Sequence, residues 1–292
     1  MSKDPQITTV VLNYKTYQDA IACVYSLLKM NYSNHHIVIV ENGSGNESAS
    51  EIKKAFDGNA MVTLLVSREN LGFAKGNNLG IRYARETLNA DFVFVLNSDT
   101  IVPDTLFQDV VASYQTGVGV ISPQVVNLAG EISNPSENSE DIVLRAKAQI
   151  KALYLAKILI MPGVAQVYSA YKKTKHQESE QVKTPCQYKR YVLQGCAYFL
   201  TPEFFKYYTN IFPDTFLYWE EINLLMLLQK VGLYSICIQS EPVVHMKAKS
   251  TSELFGQAKY ERRKIHFSYQ SMKQSRPMFE LSYDEIKAKY DV

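Results

Sequence analysis

Apolar segments and segments of helical spacing alternate over the first 122 residues, and this alternation constrains the fold more than any other feature of the chain. β-Branched and aromatic side chains are concentrated in five short segments typical of buried strands: residues 7–13, 37–40, 62–66, 92–96 and 119–122. Helical spacing is found between them, in residues 17–30, 51–56, 79–88 and 103–114. This order predicts an α/β fold with a Rossmann-like, mostly parallel central sheet and helices on both faces.

The second half of the chain is less regular. Residues 134–141 are polar and indicate a loop, and residues 142–160 have helical propensity. Strand and helix character then returns, with strands expected at 191–200 and 234–238 and helices beginning at Thr201 and Glu220. From residue 250 the chain is mostly charged and helical, and we expect this part to be peripheral.

Composition excludes several classes of protein. At 292 residues, with 46% hydrophobic and 21% charged side chains, the chain can bury the core of one large domain. A net charge of +2 is no sign of a nucleic-acid-binding protein. No apolar run reaches the ~18–20 residues of a membrane-spanning helix. Because residues 1–6 are polar and a predicted strand follows at once, we expect no signal peptide. The four scattered cysteines fit free thiols in a reducing cytoplasm, where we expect the protein.

Polar side chains follow three of the predicted strands. Asn13 ends the first strand, Glu41 follows the second, and Asn97 and Asp99 follow the fourth. Because ligands bind at the carboxyl ends of strands in open α/β sheets, we expect these side chains at a single crevice. Asp99 is a hard oxygen ligand, which suits a divalent cation that also touches a diphosphate. The alternative is that Asp99 only caps the helix that follows Pro103.

A loop rich in glycine and asparagine spans residues 70–78. Gly72 and Gly76 would let its backbone approach a ligand closely. The loop lacks both the Gly-Lys-Ser/Thr of a phosphate-binding P-loop and the Gly-x-Gly-x-x-Gly of a dinucleotide site. An ordinary start of a helix is therefore an equal alternative.

Two adjacent acids, Glu220 and Glu221, follow the aromatic residues 216–219. A carboxyl group beside apolar surface has its pKa raised, which suits a general base. The alternative is that both acids lie in the first turn of a helix and only stabilise its dipole. His245 follows a predicted strand and is a candidate metal ligand only if it faces Asp99; otherwise it is structural.

Taken in order, these segments resemble glycosyltransferase family 2, of the bacterial rhamnosyltransferase-like kind. The resemblance covers about residues 5–135 and 190–252. It is carried, in chain order, by Val10-Val-Leu-Asn13-Tyr14-Lys15, Val38-Ile-Val-Glu41-Asn42-Gly43-Ser44, Glu69-Asn70-Leu-Gly72-Phe73-Ala-Lys-Gly76-Asn77-Asn78, Leu96-Asn97-Ser98-Asp99-Thr100, Gly195-Cys-Ala-Tyr-Phe199, Phe216-Leu-Tyr218-Trp219-Glu220-Glu221, and His245 with Ser250-Thr251.

The resemblance implies a GT-A fold and transfer, with inversion, of a sugar from a nucleoside diphosphate sugar to a glycan or polyprenyl-linked acceptor. It implies that Glu221 is the catalytic base, and that Asp99 binds Mg2+ or Mn2+ with His245 as a further ligand. The residues it places at the donor are Asn13, Glu41, Asn70, Gly72, Lys75, Asn77, Asn97 and Asp99.

The implied organisation is a GT-A glycosyltransferase domain over residues 1–252, followed by a C-terminal helical extension over 253–292. Within the domain we expect a nucleotide-binding half at about 5–135, a helical insertion at about 136–188 and an acceptor-side half at about 189–252.

Three positions depart from the family pattern. Glu41 stands where the nucleoside-contacting residue is usually Asp, Glu221 where the base is usually Asp, and Asn223 where a further acid is usual. A Glu base is one methylene longer, which keeps the chemistry and changes the reach. The alternative to an active enzyme is a nucleotide-sugar-binding subunit that supports another transferase. A dinucleotide-dependent oxidoreductase is disfavoured by the missing glycine fingerprint.

Residues 142–175 combine apolar side chains with basic ones, namely Arg145, Lys147, Lys151, Lys157, Lys172, Lys173 and Lys175. Such a segment can rest on an anionic leaflet and bring the site to a lipid-linked acceptor, as a peripheral contact with the inner face of the cell membrane. The first four basic positions do not gather on one helical face. The alternative is therefore an inserted helical pair packed on the domain or on the second subunit of a homodimer.

Overall fold

The computed structural model of the chain describes residues 4–134, 137–138, 191–246 and 257–292. The segment 142–175 with its basic side chains, including the helix predicted at 142–160, lies outside the described residues, as do most of the helical insertion expected at about 136–188 and the pair Ser250-Thr251. Among the helices of the described residues, none combines the length and the apolar character needed to cross a bilayer.

Two sheets of unequal size contain most of the strands. The strands are β1 (Ile7–Asn13), β2 (His35–Glu41), β3 (Val62–Val66), β4 (Phe92–Asn97), β5 (Thr100–Ile101), β6 (Val118–Ser122), β7 (Val125–Asn127), β8 (Ile132–Asn134), β9 (Glu137–Asn138), β10 (Tyr191–Val192), β11 (Ala197–Leu200), β12 (Tyr234–Cys237) and β13 (Val243–His245). The seven-stranded sheet has the order β12-β6-β11-β4-β1-β2-β3. Its neighbouring pairs are parallel except for the two made by β11, which confirms the predicted mostly parallel sheet.

Helices cover both faces of the large sheet, as predicted. They are α1 (Tyr17–Leu27), α2 (Ser48–Ala55), α3 (Gly72–Arg82), continued by a π-helical turn (Tyr83–Thr87), α4 (Leu106–Ser113), α5 (Pro202–Phe205), α6 (Glu220–Lys230), α7 (Gln257–Gln274), α8 (Arg276–Glu280) and α9 (Tyr283–Lys289). Side chains alternate across the strands, so that Val11 and Ile39 pack with α1, α2 and α4, whereas Val10 and Val38 pack with α3, α6, α8 and α9.

The smaller sheet has the order β5-β13-β7-β8. β13 runs antiparallel to β5 and parallel to β7, so it carries the chain back beside the loop that follows β4. This sheet therefore decides which side chain from the second half of the chain meets Asp99.

Two sequence-based expectations differ from the structure. The expected strand at 191–200 is divided into β10 and β11 by a turn at residues 195–196, and β11 inserts antiparallel between β4 and β6. The expectation that the C-terminal segment is peripheral is wrong, because Met278, Ile286 and Val292 are buried in the same apolar cluster as Val10. The few apolar residues of a charged segment sufficed to dock it onto the main core.

Candidate active site

Asn13, Glu41 and Asn97 lie in a row at one edge of the large sheet. β1 lies between β2 and β4, with Asn13 opposite Glu41 and Leu12 opposite Asn97. Since the three strands are parallel, the polar loops that follow them open onto one crevice. The structure thus brings together the three strand-end residues that the sequence singled out.

The side chains of Asn13 and Glu41 differ in how they are satisfied. Asn13 is fully buried, and neither its amide nitrogen nor its amide oxygen has a hydrogen-bond partner among the described residues. Glu41 Oε1 accepts a hydrogen bond from the Ser44 N–H at 2.9 Å, and Ser44 Oγ accepts one from the Lys15 N–H at 2.8 Å. Glu41 therefore fixes the loops after β1 and β2, whereas Asn13 retains the unmet hydrogen-bonding capacity that buried amides rarely have.

Asn42 holds the loop that precedes α3, a role that sequence reasoning missed. Its Nδ2 donates to Asn70 Oδ1 and to the Gly72 carbonyl, both at 3.1 Å, and its Oδ1 accepts from the Leu71 N–H at 3.1 Å. Asn70 Oδ1 also accepts from the Gly72 N–H at 2.9 Å. The only signal was an asparagine directly after Glu41, because nothing local indicates partners 28 to 30 residues away.

The glycines of this loop make close approaches to protein atoms. Gly72 has a φ of +81°, and a Cβ there would lie 2.6 Å from the Phe216 carbonyl oxygen. A Cβ at Gly76 would lie 2.7 Å from the Leu12 side chain and 3.0 Å from Asn42 Nδ2. Both glycines are therefore required for α3 to pack where it does, whether or not a ligand also approaches them.

The polar residues of α3 divide between surface and interior. Lys75 is exposed. Asn77 is buried, and its Nδ2 donates to the Phe73 carbonyl at 3.0 Å, while its Oδ1 has no partner among the described residues. Lys75 can meet a ligand directly, whereas Asn77 faces the interior of the protein.

Asp99 and His245 face each other, which meets the condition set for a shared metal site. The distance between Asp99 Oδ1 and His245 Nε2 is 3.2 Å. The pairing of β5 with β13 places His245 opposite Thr100, and the Met246 N–H donates to the Asp99 carbonyl at 2.9 Å. Among the described residues, no group of three or more His, Cys, Asp or Glu side chains is placed to hold a metal ion. The Asp99–His245 pair therefore offers a cation one carboxylate and one imidazole.

The short segment 195–196 links the Asp99 loop to the adjacent acids. The Cys196 carbonyl accepts a hydrogen bond from the Asn97 N–H at 2.9 Å, and the Gly195 N–H donates to Glu221 Oε1 at 3.0 Å. A Cβ at Gly195 would lie 2.9 Å from that same carboxylate oxygen. Glycine at this position therefore lets the backbone bind the carboxylate of Glu221 directly.

Burial raises the pKa of both acids at the start of α6. For Glu220 burial is the main cause and the negative charge of Glu221 the second, and together they raise its pKa to about 8. Burial also raises the pKa of Glu221, although the hydrogen bond from Gly195 opposes the shift. Both acids line a pocket whose other walls include Leu193, Tyr198 and Leu224. Such surroundings go beyond a helix-dipole role and suit proton transfer.

Glu220→Gln is expected to remove a pH-dependent loss of stability. A carboxyl group whose pKa is raised in the folded state contributes fully to stability below its unfolded pKa of 4.5, and this contribution is lost as pH rises through about 8. Gln does not ionise, so the difference in urea midpoint between variant and wild type should grow in favour of the variant between about pH 5 and pH 8. A difference that stays constant over this range would show that folding does not raise the pKa of Glu220.

Two sequence relatives carry glycosyltransferase names. The chain is 29% identical over 148 residues to the "Low-salt glycan biosynthesis hexosyltransferase Agl10" of Haloferax volcanii, a match that covers 50% of this chain and 45% of the relative. It is 32% identical over 109 residues to the "Glycosyltransferase GlyG" of Streptococcus pneumoniae, covering 36% of this chain and 35% of the relative. The chain thus spans less than half the length of these curated relatives.

Two solved structures share the fold at low sequence identity. The mannosyltransferase PcManGT from Pyrobaculum calidifontis, in complex with GDP-Man and Mn2+, aligns with a TM-score of 0.53 at 13% identity and covers 99% of this chain and 76% of its own. TarS 1–349 from S. aureus aligns with a TM-score of 0.53 at 12% identity and covers 94% of this chain and 77% of its own. These neighbours show that the fold is GT-A-like.

A family model, described as glycosyl transferase family 2, matches residues 8–179. The matched range contains Asn13, Glu41 and Asp99, whereas Glu221 and His245 lie beyond it. Because the match spans more than half of the chain and the fold agrees with it, the chain belongs to glycosyl transferase family 2.

Proposed function

We propose that this chain is an inverting glycosyltransferase that moves a sugar from a nucleoside diphosphate sugar to an acceptor hydroxyl. The observation that carries the proposal is the segment 195–196, which binds the Asn97 N–H on one side and the Glu221 carboxylate on the other. One piece of backbone thereby holds the loop for the leaving diphosphate and a candidate general base.

The donor would lie along the carboxyl edge of the large sheet. The unsatisfied amide of Asn13 offers a donor and an acceptor, which suits a nucleoside, and Glu41 shapes the loops on either side. Asn97 lies next in the row, where the ribose would follow. The loop held by Asn70 would cover the nucleotide, with the exposed ammonium group of Lys75 available to phosphate oxygens.

Asp99 and His245 fit a divalent cation. Mg2+ is bound in proteins by one or two carboxylates together with phosphate oxygens and water, and Mn2+ also accepts imidazole. The Asp99 carboxylate and the His245 imidazole, 3.2 Å apart, would supply the protein's share of such a ligand set. When bound there, the cation would neutralise negative charge that develops on the departing diphosphate.

Glu221 would act as the general base. The Gly195 N–H fixes Oε1 of its carboxylate, so Oε2 is the atom available to take a proton. As the acceptor oxygen attacks the anomeric carbon, its proton moves to Glu221. The bond between that carbon and the diphosphate oxygen breaks with its electron pair going to the diphosphate. Attack opposite the leaving group inverts the anomeric configuration.

The substrate is proposed only as a class. We propose a hexosyl or rhamnosyl donor and a glycan or polyprenyl-linked acceptor in cell-surface polysaccharide synthesis. The name of the Haloferax volcanii relative supports hexosyl transfer and glycan synthesis. We further propose that the protein acts in the cytoplasm, with residues 142–175 as the part that contacts the inner face of the membrane or a second subunit.

A panel of donors tests the proposal. UDP-, dTDP- and GDP-sugars are incubated with the protein, Mn2+ and glycan or polyprenyl-phosphate acceptors, and release of the nucleoside diphosphate is measured together with the anomeric configuration of the product. Thermal shift with each nucleotide and Mn2+ identifies the base that binds. Retention of configuration would refute the single displacement, and no binding of any nucleotide would refute the donor site.

A nucleotide-sugar-binding subunit is the second candidate. The observation that favours it is Asn223, which replaces an expected acid and is buried with both amide atoms unpartnered among the described residues. In that case a nucleotide sugar would stabilise the protein against heat without release of nucleoside diphosphate, even when acceptors are supplied.

A further inference from the structure

The turn that leads into α6 has a strained backbone. Tyr218 and Trp219 have φ values of 72° and 76°, a left-handed conformation that bulky side chains rarely adopt. Two such residues in succession persist only where their surroundings hold them. Because Glu220 and Glu221 come directly after it, the backbone of this segment sets the orientation of both acids at the start of α6. We call residues 216–219 the aromatic turn.

The loop before α3 holds the aromatic turn on one side. The Phe216 carbonyl accepts a hydrogen bond from the Phe73 N–H at 2.7 Å. Gly72 lies so close that a Cβ would be 2.6 Å from this carbonyl oxygen and 2.7 Å from the Phe216 ring. The loop that would cover the donor is therefore in direct contact with the segment that leads to the base.

Helix α7 holds the aromatic turn on the other side. The Phe267 ring stacks on Phe216 with centroids 5.2 Å apart and planes at 24°. Ser271 is fully buried, and its Oγ donates to the Leu217 carbonyl at 2.8 Å. The next residue, Met272, packs against Trp219. All of these contacts come from a segment far beyond the family match at residues 8–179.

We propose that the aromatic turn positions Glu221, and that it does so because it is clamped between Gly72 and α7, with Phe216 and Ser271 as positioning residues. The proposal rests on the proposed function, since Glu221 needs a precise orientation only if it removes a proton. It gives the C-terminal helices a part in catalysis without contact with either substrate. It also links the loop before α3, which we call the donor loop, to the base. A movement of residues 72–73 is transmitted to the Phe216 carbonyl, because both residues contact it.

A double-mutant cycle tests the clamp from the side of α7. Ser271→Ala removes the bond to Leu217 and should lower kcat by about tenfold, short of the roughly hundredfold that a 1 Å misplacement costs. The donor KM should stay within about twofold, because Ser271 binds the Leu217 carbonyl, whereas the loop before α3 contacts the aromatic turn at Phe216. In a Glu221→Gln background the same change should lower kcat by less than about twofold, because the base to be positioned is already gone.

Ser268→Ala is the matched control for Ser271→Ala. Ser268 lies about one turn earlier on α7, and no hydrogen bond joins its side chain to the described residues. The control should keep wild-type kcat. Should Ser271→Ala lose its fold by circular dichroism, Phe267→Leu replaces it in the same cycle, because it removes the ring stack on Phe216 and keeps the helix.

Gly72→Ala tests the clamp from the donor side. The added methyl group must displace Phe216, so kcat should fall and the donor KM should rise together. Gly58→Ala is the matched control, because Gly58 has a similar φ of +71° but a Cβ there meets nothing within 4 Å. It carries the same kind of backbone strain without the collision and should leave both constants unchanged.

The outcomes separate this inference from the function on which it rests. Wild-type protein that transfers sugar from no donor would refute the proposed function. If wild type is active, the clamp would be overturned by a Ser271→Ala change that lowers kcat by the same factor in the presence and in the absence of Glu221. It would also be overturned if Ser271→Ala and Ser268→Ala lowered kcat equally. A Gly72→Ala variant with the kcat of Gly58→Ala would overturn the link to the donor loop.

Discussion

Replacing Glu221 with Gln is expected to lower kcat by roughly a hundredfold or more, the usual scale for loss of a general base. The amide keeps the size of the side chain and can still accept from the Gly195 N–H, but it cannot take the acceptor's proton. Donor affinity should change little, because the base contacts the acceptor hydroxyl rather than the nucleotide. The measurement is steady-state turnover at saturating donor, with the donor Kd measured separately.

Glu220→Gln is the matched control for this loss. Adjacent residues of a helix point about 100° apart, so only one of the two acids can face the acceptor. We expect Glu221 to be the acid that faces the acceptor, because the Gly195 N–H holds its carboxylate. Glu220→Gln should therefore have the smaller effect on turnover. If the two variants behave the other way round, Glu220 is the base. If neither slows the reaction, the base lies elsewhere.

The part of the fold that forms the donor edge was predictable from local sequence. β1, β2 and β4 are short apolar runs that each end in a polar residue, and a parallel sheet delivers such ends to one side. That is why Asn13, Glu41 and Asn97 were expected together and are found in one row. The sequence could not predict that His245 faces Asp99. It only made His245 a metal ligand on that condition, because strand character does not reveal which loops a second sheet brings together.

The remaining features depend on contacts between distant parts of the chain. The apolar residues of β11 do not indicate whether it runs parallel or antiparallel to its neighbours, so its antiparallel insertion between β4 and β6 could not be predicted. The role of Asn42 depends on a loop 28 to 30 residues later. The importance of Phe216 depends on Gly72, 144 residues earlier in the chain, and on α7, a mostly charged helix later in the chain, so the sequence around Phe216 does not reveal either partner. Tertiary packing, rather than local propensity, decides all three.

Asp99→Ala is expected to abolish turnover while the fold remains intact. Asp99 lies in a loop after β4, and that loop is held by bonds that the change keeps: the Thr100 hydroxyl donates to the Asn97 carbonyl at 2.8 Å, and the Met246 N–H donates to the carbonyl of residue 99 at 2.9 Å. The carboxylate lies 3.2 Å from the His245 imidazole, so its removal takes away the charged member of the proposed ligand pair. Turnover is measured against Mg2+ and Mn2+ concentration, and circular dichroism checks the fold.

A thermal-shift measurement separates metal binding from chemistry in this variant. Mn2+ with a nucleoside diphosphate should stabilise wild type and should add little to Asp99→Ala beyond the nucleotide alone. Asp99→Asn keeps the shape of the side chain, removes its charge and should behave like the alanine variant. Asp104→Ala changes an exposed acid of the same loop region and should keep wild-type behaviour.

Near wild-type turnover of Asp99→Ala with a divalent metal still required would mean that Asp99 is not the ligand. Turnover of wild type without any divalent metal would remove the metal role from this loop altogether. The leaving diphosphate would then be neutralised by other charges, and the exposed Lys75 is one candidate.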